Sequence, residues 1–498
     1  MYHKEEDKIW IATGDEGANP IHLLPKMSAR HGLVTGATGT GKTTTIKVMA
    51  EAFSQMGTSV FLADIKGDVS GLCKPGVPNP SVDERLRTMG ITDFPFTGFP
   101  VRFFDVYGAT GIPLRTTVSG MGPLLLARIL GLNETQTGVL QIISRVADDN
   151  GLLLLDFKDL RSMAHFAREN GAMFSTQYGN VPPQSVGAIQ RRLFELEEAG
   201  AESFFGEPEL DLRDWFGTDE LGRGVINVLD CTKLFHNPLV YSTFLLWMLS
   251  ELYETMPEVG DLDRPKMVFF FDEAHLLFSD IPKALLTKIE QIVRLIRSKG
   301  VGVYFITQTP ADIPGPVLAQ LGNKIQHALR AYTPNDHKAI KAAAASFRPN
   351  PAFDAETVIS ELATGEALVS ALDEAGAPGM VQRGFILPPQ CSFGVAEPEL
   401  IEDITKASPL YDKYHQSFDR HSAYEALEEL TQKQTALREQ EALEAQQAKE
   451  LKQAATQKAA QSKKTQSALD KAISSSLSQI GRSVSRELVR GIFGTPKR

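Results

Sequence analysis

Short apolar runs recur along the first 400 residues, separated by stretches in which apolar positions return every three or four residues. The runs at 9–12, 32–35, 59–63, 101–105, 225–229, 267–271 and 302–307 predict β-strands. Several are apolar throughout rather than alternating, as a strand covered on both faces requires. Helical periodicity between them, as over 43–53, predicts an α/β fold built on a mainly parallel sheet. Later runs at 326–331, 367–371 and 380–387 would extend that sheet.

The pattern changes twice. From 114 to 205 helical periodicity dominates without a strand series. The segments 123–130 and 137–146 read as amphipathic helices, and Ile189, Leu193 and Leu196 share a face of 188–198. The expectation is a helical insertion over 114–205 that divides a sheet core into 1–113 and 206–397. From 398 to 467 a charged helical linker is expected. Its part 423–461 is rich in Ala, Gln, Glu and Lys, and Glu444 breaks the heptad suggested by Leu430, Leu437 and Leu451. Over 468–498, Leu469, Ile473, Leu477, Ile480, Val484 and Leu488 line one face of a helix, and Arg482, Arg486 and Arg490 lie on another. Such a basic amphipathic helix suits docking on protein, an anionic membrane surface or nucleic acid.

Composition bounds the class. The 498 residues, 42% hydrophobic and 22% charged, suit a globular protein of about three domains. A net charge of −10 excludes a uniformly cationic nucleic-acid coat, but the charge is uneven. After residue 450 there are ten basic and two acidic side chains, which leaves −18 on the rest. Cys73, Cys231 and Cys391 are too scattered for a disulfide framework or a zinc site. The polar, acidic start argues against a secretory leader, and no apolar run reaches the ~18 residues of a spanning helix. A soluble, cytoplasmic setting is expected.

The chemistry concentrates in three places. Gly36, Ala37, Thr38, Gly39, Thr40, Gly41, Lys42 and Thr43, followed by Thr44, match the phosphate-loop pattern G-x-x-x-x-G-K-[ST] in full, between a strand and a helix. Glycines let backbone N–H groups turn toward phosphate oxygens, and the helix N-terminus adds its dipole. Lys42 would reach the β- and γ-phosphates of ATP, and the Thr43 hydroxyl would coordinate Mg²⁺. The spacing does not fit a dinucleotide fold, whose glycines read G-x-G-x-x-G.

The apolar run at 267–271 ends in Asp272 and Glu273, followed by Ala274 and His275. Asp272 suits Mg²⁺, and Glu273 suits the attacking water of a motor-type ATPase. The run at 302–307 ends in Gln308. If that strand lies between the first two, Gln308 faces the γ-phosphate and can sense hydrolysis, which gives a RecA-like ATPase with an additional central strand. A cation on the γ-phosphate is often donated by a neighbouring subunit. Arg294, Arg297 and Arg330 are the candidates. Asp64, at the end of the strand after the loop helix, suits either the metal–water site or a turn cap.

Residues 30–43, 269–275, the Arg297-Ser298-Lys299-Gly300 run and the Thr307-Gln308-Thr309-Pro310 run together resemble the HerA-like branch of the HerA/FtsK superfamily of P-loop ATPases, and more closely its bacterial YjgR group. The resemblance spans nearly the whole chain up to 481–498. It implies a RecA-like fold, ATP hydrolysis with Mg²⁺, and a hexameric ring with active sites between subunits. It also implies a catalytic Glu273, a sensor Gln308, and Arg297 as leading candidate for γ-phosphate contact. HerA is a DNA-pumping motor that partners a nuclease through an N-terminal β-barrel. A loop starting at Gly36 leaves no room for that barrel, so two roles stand side by side. One is a DNA translocase. The other is a scaffold or regulatory ATPase that remodels or tethers a protein partner, or the membrane surface, through the insertion and tail.

Overall fold

A computed structural model describes residues 1–14, 19–175, 177–198, 200–279 and 283–459. The expected terminal helix over 468–498 lies outside the described residues. Contacts divide the chain into one unit of residues 1–116 and 208–417 and a second of 117–207 and 418–498.

The first unit holds a sheet of thirteen strands: β1 (Tyr2–His3), β2 (Lys8–Gly14), β3 (Asn19–Leu23), β4 (Gly32–Thr35), β5 (Ser59–Asp64), β6 (Val101–Asp105), β7 (Ile112–Pro113), β8 (Ile226–Asp230), β9 (Met267–Phe271), β10 (Val301–Thr307), β11 (Asn323–His327), β12 (Glu366–Ser370) and β13 (Gln382–Ile386). The spatial order is β1-β2-β13-β12-β11-β4-β10-β9-β5-β8-β6-β7, with β3 on β2. From β11 to β7 all neighbours are parallel. From β11 through β12 and β13 to β2 and its partners they are antiparallel.

The parallel strands are apolar throughout because both of their faces are covered. In β9, Phe270 packs on Tyr304 at 5.3 Å between ring centres, with Phe53 of the loop helix beyond. On the opposite face Phe269 meets Phe61 at 5.2 Å, and Phe61 stacks on Trp215 at 4.8 Å. All these rings are buried.

Some limits differ from expectation. The strand expected over 326–331 begins earlier, at Asn323, and ends at His327. Its first residue is polar but buried, because the Asn323 amide donates to the carbonyls of Met27 and His31. The residues expected to open a linker at 398 stay with the sheet unit. The helix Pro398–Ala407 turns Ile401 and Ile404 toward the core, so apolar spacing outweighs its charge. The linker therefore divides near Ser417.

The second unit is helical over its described residues, with Pro123–Ile129, Glu134–Asp149, Phe157–Glu169 and Pro183–Glu198 as its main elements before residue 208. Glu134–Asp149 and Phe157–Glu169 each open with a capping box, at Asn133 and Asp156. The long helix Ala423–Ala459 joins this unit through its first turns, where Leu427 and Leu430 are buried, whereas Leu443 and Leu451 are exposed. Ser422 and the Tyr424 N–H anchor it on the buried Asp159. Among the described residues no helix is long and apolar enough to cross a membrane.

Candidate nucleotide site

The carboxyl ends of β4, β10, β9 and β5 define one edge of the sheet, the edge where open α/β sheets bind ligands. The phosphate loop leaves β4 there and enters the helix Lys42–Gln55. Two of its glycines are required by their surroundings. A Cβ on Gly36 would lie 2.5 Å from the His327 Cβ, and Gly41 adopts φ +114°, where a Cβ would lie 3.1 Å from the Gly365 Cα. Within the loop, Lys42 Nζ donates to the carbonyls of Gly36 and Ala37 at 2.6 and 3.1 Å. Burial lowers the lysine's pKa, with the nearby Lys66 charge acting in the same direction. Thr40 Oγ1 donates to the Ala37 carbonyl at 2.7 Å.

The loop rests on β11. The Ala37 N–H donates to the Ala328 carbonyl at 2.9 Å. His327 Nε2 and Thr45 Oγ1 share a hydrogen bond of 2.8 Å, and His327 Nδ1 lies 3.1 Å from the Glu366 carbonyl. Burial first, and then the Lys42 charge, pull the His327 pKa down to about 4, so the ring beneath the loop is neutral. His327 was not among the residues expected in the site. Its signal was a polar residue closing a strand at the crevice edge.

The acid pair stands two strands away. Asp272 is half-buried, and desolvation of its carboxyl together with the neighbouring Glu273 raises its pKa to about 6. Glu273 adopts φ +46°, a rare conformation for a residue with a side chain, and its N–H donates to Asp272 Oδ1 at 2.9 Å. Glu273 Oε2 is buried without a hydrogen-bond partner, 3.3 Å from His275 Nδ1. The next N–H, of Ala274, is tied to the Ile306 carbonyl at 2.8 Å, which fixes the turn against β10.

β10 lies between β4 and β9, so the strand that ends in Gln308 is the additional central strand. Thr307 pairs with Thr35, which puts Gln308 level with Gly36. Asp312 accepts from Thr307 Oγ1 at 2.6 Å and from the Thr309 N–H at 3.1 Å, which holds the turn and leaves Gln308 exposed on the crevice.

Asp64 caps a turn. It accepts from the N–H groups of Gly67, Asp68 and Val69 at 2.8, 3.2 and 3.1 Å. Burial, and then Asp68, raise its pKa to about 7. That turn delivers Asp68 to the loop, where its carboxylate accepts from Thr43 Oγ1 at 3.1 Å. Among the described residues no group of three His, Cys, Asp or Glu side chains converges on a metal position. Magnesium needs no such cage. It is held by one or two protein oxygens, phosphates and water, and Thr43 with Asp272 supplies oxygens of that kind.

The arginines separate. Arg330 is at the crevice edge but donates to the carbonyls of Ser360 and Leu362. Arg294 is exposed on the helix Lys283–Leu295. Arg297 precedes β10, at the amino-terminal edge of the sheet, 3.5 Å from Asp261. The seven residues of β10, about 23 Å at strand rise, separate it from its own crevice.

Residues 11–498 match the family model described as helicase HerA-like C-terminal. The chain belongs to this family. It is 24% identical over 353 residues to the DNA double-strand break repair helicase HerA of Saccharolobus solfataricus, covering 68% of this chain and 61% of that protein. The chain thus spans about three fifths of the length of that relative. VirB4 of Thermoanaerobacter pseudethanolicus shares the fold at 15% identity and TM-score 0.50, over 76% of this chain and 96% of its own. Plasmid coupling protein TrwB, solved with ADP and Mg²⁺, aligns at 14% identity and TM-score 0.49, over 79% of this chain and 93% of its own. This HerA-like chain falls in the HerA/FtsK P-loop ATPase superfamily and has a RecA-like fold.

Proposed function

We propose that this chain is a Mg²⁺-dependent, ATP-hydrolysing motor that works as a ring oligomer in the cytoplasm, with DNA as its track. One observation carries the hydrolytic part: the buried, unpartnered Glu273 Oε2, held by a strained backbone beside a phosphate loop. That oxygen accepts no hydrogen bond beyond its 3.3 Å ion-pair contact with His275 Nδ1, and a water poised on the γ-phosphorus supplies one.

In this reading the loop from Gly36 to Thr44 binds the triphosphate, and Lys42 turns from its loop carbonyls to the β/γ-phosphates. Thr43 and Asp272 hold Mg²⁺, which offsets phosphate charge. Glu273 orients the water and takes its proton as the oxygen adds to the γ-phosphorus and the bond to ADP breaks. Gln308 senses the γ-phosphate, and Arg297 reaches it from the adjacent subunit. DNA as the track rests on membership of the HerA-like family and on the named role of the HerA relative.

The test is phosphate release from ATP by the full chain, with Mg²⁺ or EDTA and with or without duplex DNA at low salt, beside the native mass of the assembly. Mg²⁺-dependent release stimulated by DNA, from a ring-sized particle, is expected. Release indifferent to DNA would remove the track, and absence of release would remove the motor.

A further inference from the structure

A second lysine stands at the crevice. β5 pairs with β9 from Ser59 opposite Met267 to Leu62 opposite Phe270. Asp64, two residues on, is therefore level with Asp272 on the neighbouring strand, about 5 Å away at strand spacing. The chain then turns back toward the phosphate loop. Ile65 is buried, Gly67 takes φ +72°, and the Asp64 side chain holds the N–H groups of Gly67, Asp68 and Val69. Asp68 reaches Thr43 Oγ1 at 3.1 Å. The turn thus arches from a point beside the acid pair to the first residues of the loop helix, and Lys66 is its middle residue.

Lys66 is exposed, and among the described residues its ammonium has neither a hydrogen bond nor an ion pair. Lys42, by contrast, is tied to two loop carbonyls. The Lys66 charge is nevertheless felt in the site. Desolvation and Glu273 raise the Asp272 pKa, and Lys66 pulls against that rise more strongly than Lys42 does. Two cations therefore flank the acids from opposite sides. One belongs to the loop after β4 and the other to the turn after β5, with β9 and its acid pair between those strands. A γ-phosphate that meets both Lys42 and a water on Glu273 lies in that gap, under the arch. Lysine brings to it a compact charge on a flexible stem, able to follow an oxygen that shifts as the terminal bond breaks.

We propose that Lys66 is a catalytic cation supplied from within the subunit, contacting a γ-phosphate oxygen of bound ATP across from Lys42. The proposal rests on the phosphate-loop reading of the site, and it adds a contact made in the same subunit to the one that Arg297 makes from its neighbour. No bond to the lysine forms or breaks. Its charge offsets that of the γ-oxygens as water adds and ADP leaves. ATP carries the oxygens that Lys66 meets and ADP does not, so the contact discriminates between them.

Calorimetric titration of the full chain with a non-hydrolysable ATP analogue and with ADP, both with Mg²⁺, tests it. Lys66→Met keeps a long side chain and removes the charge at an exposed position, and unchanged melting would confirm folding. The variant should bind the ATP analogue about tenfold more weakly than wild type, with ADP affinity within about twofold. Its single-turnover hydrolysis of ATP should slow by about 100-fold, and Lys66→Arg, which keeps a charge, should recover most of both losses. Wild-type affinity of Lys66→Met for the analogue, or equal losses for analogue and ADP, would overturn the γ-phosphate contact while leaving the phosphate loop intact. Failure of wild type to bind either nucleotide more tightly than Lys42→Ala does would instead overturn the phosphate-loop reading, and the role of Lys66 with it.

Discussion

The two edges of the central sheet treat buried polar groups in opposite ways. At the amino-terminal edge His31 is buried at φ +57°. Both of its nitrogens are engaged, Nε2 with the Val293 carbonyl at 2.7 Å and Nδ1 with the Val303 N–H at 3.0 Å. Asn323 beside it uses donors and acceptor alike, toward Met27, His31 and Leu372. At the carboxyl edge Glu273 has a similar backbone at φ +46° but leaves a buried oxygen unpartnered, next to an Asp272 carboxyl whose charge burial disfavours. The same strain serves two ends. With complete hydrogen bonding it is architecture, and with an orphaned acceptor it marks a place where a ligand completes the set.

That contrast can be broken at either edge. The largest effect is expected for Lys42→Ala, which removes the loop's cation and should weaken ATP binding roughly 100-fold or more, read by calorimetry. Gly36→Ala places a Cβ 2.5 Å from that of His327 and should cost about 2–4 kcal/mol in denaturant unfolding, with nucleotide affinity falling alongside.

His31→Asn tests the opposite edge. Asn tolerates positive φ and keeps a donor and an acceptor, but it does not titrate. Burial holds the folded His31 pKa at about 4 against an ordinary 6.5, so the unfolded chain takes up protons first as pH falls. Stability from this group is therefore whole above pH 6.5 and is lost toward pH 4, by roughly 3 kcal/mol. Asp64 and Asp272, whose pKa values are raised, slope the other way, so the comparison must be wild type against variant. The variant's acid limb should be flatter by that amount with ATP affinity unchanged; a wild-type-like limb would reject the buried neutral imidazole.

The smallest effect on stability belongs to Arg297→Ala. Its ion pair with Asp261 is half exposed, and its loss should cost less than about 1 kcal/mol. Nucleotide affinity should also hold, while turnover of the assembled protein drops. Turnover rescued by mixing with Glu273→Gln subunits would confirm action from a neighbour.

Legibility in the sequence followed locality. β4, β6 and β9 coincide with their apolar runs because every position in them is buried or nearly so. β3 was not anticipated, since Asn19-Pro20 opens it and Pro reads as a strand breaker, tolerated here where, among the described residues, it pairs with β2 alone. β7, two residues long, carries no periodicity at all. The phosphate loop and the Asp272–Glu273 pair were readable because each is a short continuous run on a strand end. His327 under the loop and Asp68 at Thr43 were not, because crossovers of many residues bring them there. Arg297 was legible as the residue shortly before β10, whose other end carries Gln308; the seven-residue length of that strand sets the two at opposite edges.

The most direct test of the carboxyl edge is Glu273→Gln, read by ATP affinity and single-turnover hydrolysis on the same preparation. Affinity within about threefold of wild type and a hydrolysis rate lower by roughly 100-fold or more are expected. Hydrolysis close to the wild-type rate, or loss of binding together with turnover, would contradict the assignment of Glu273 to the attacking water.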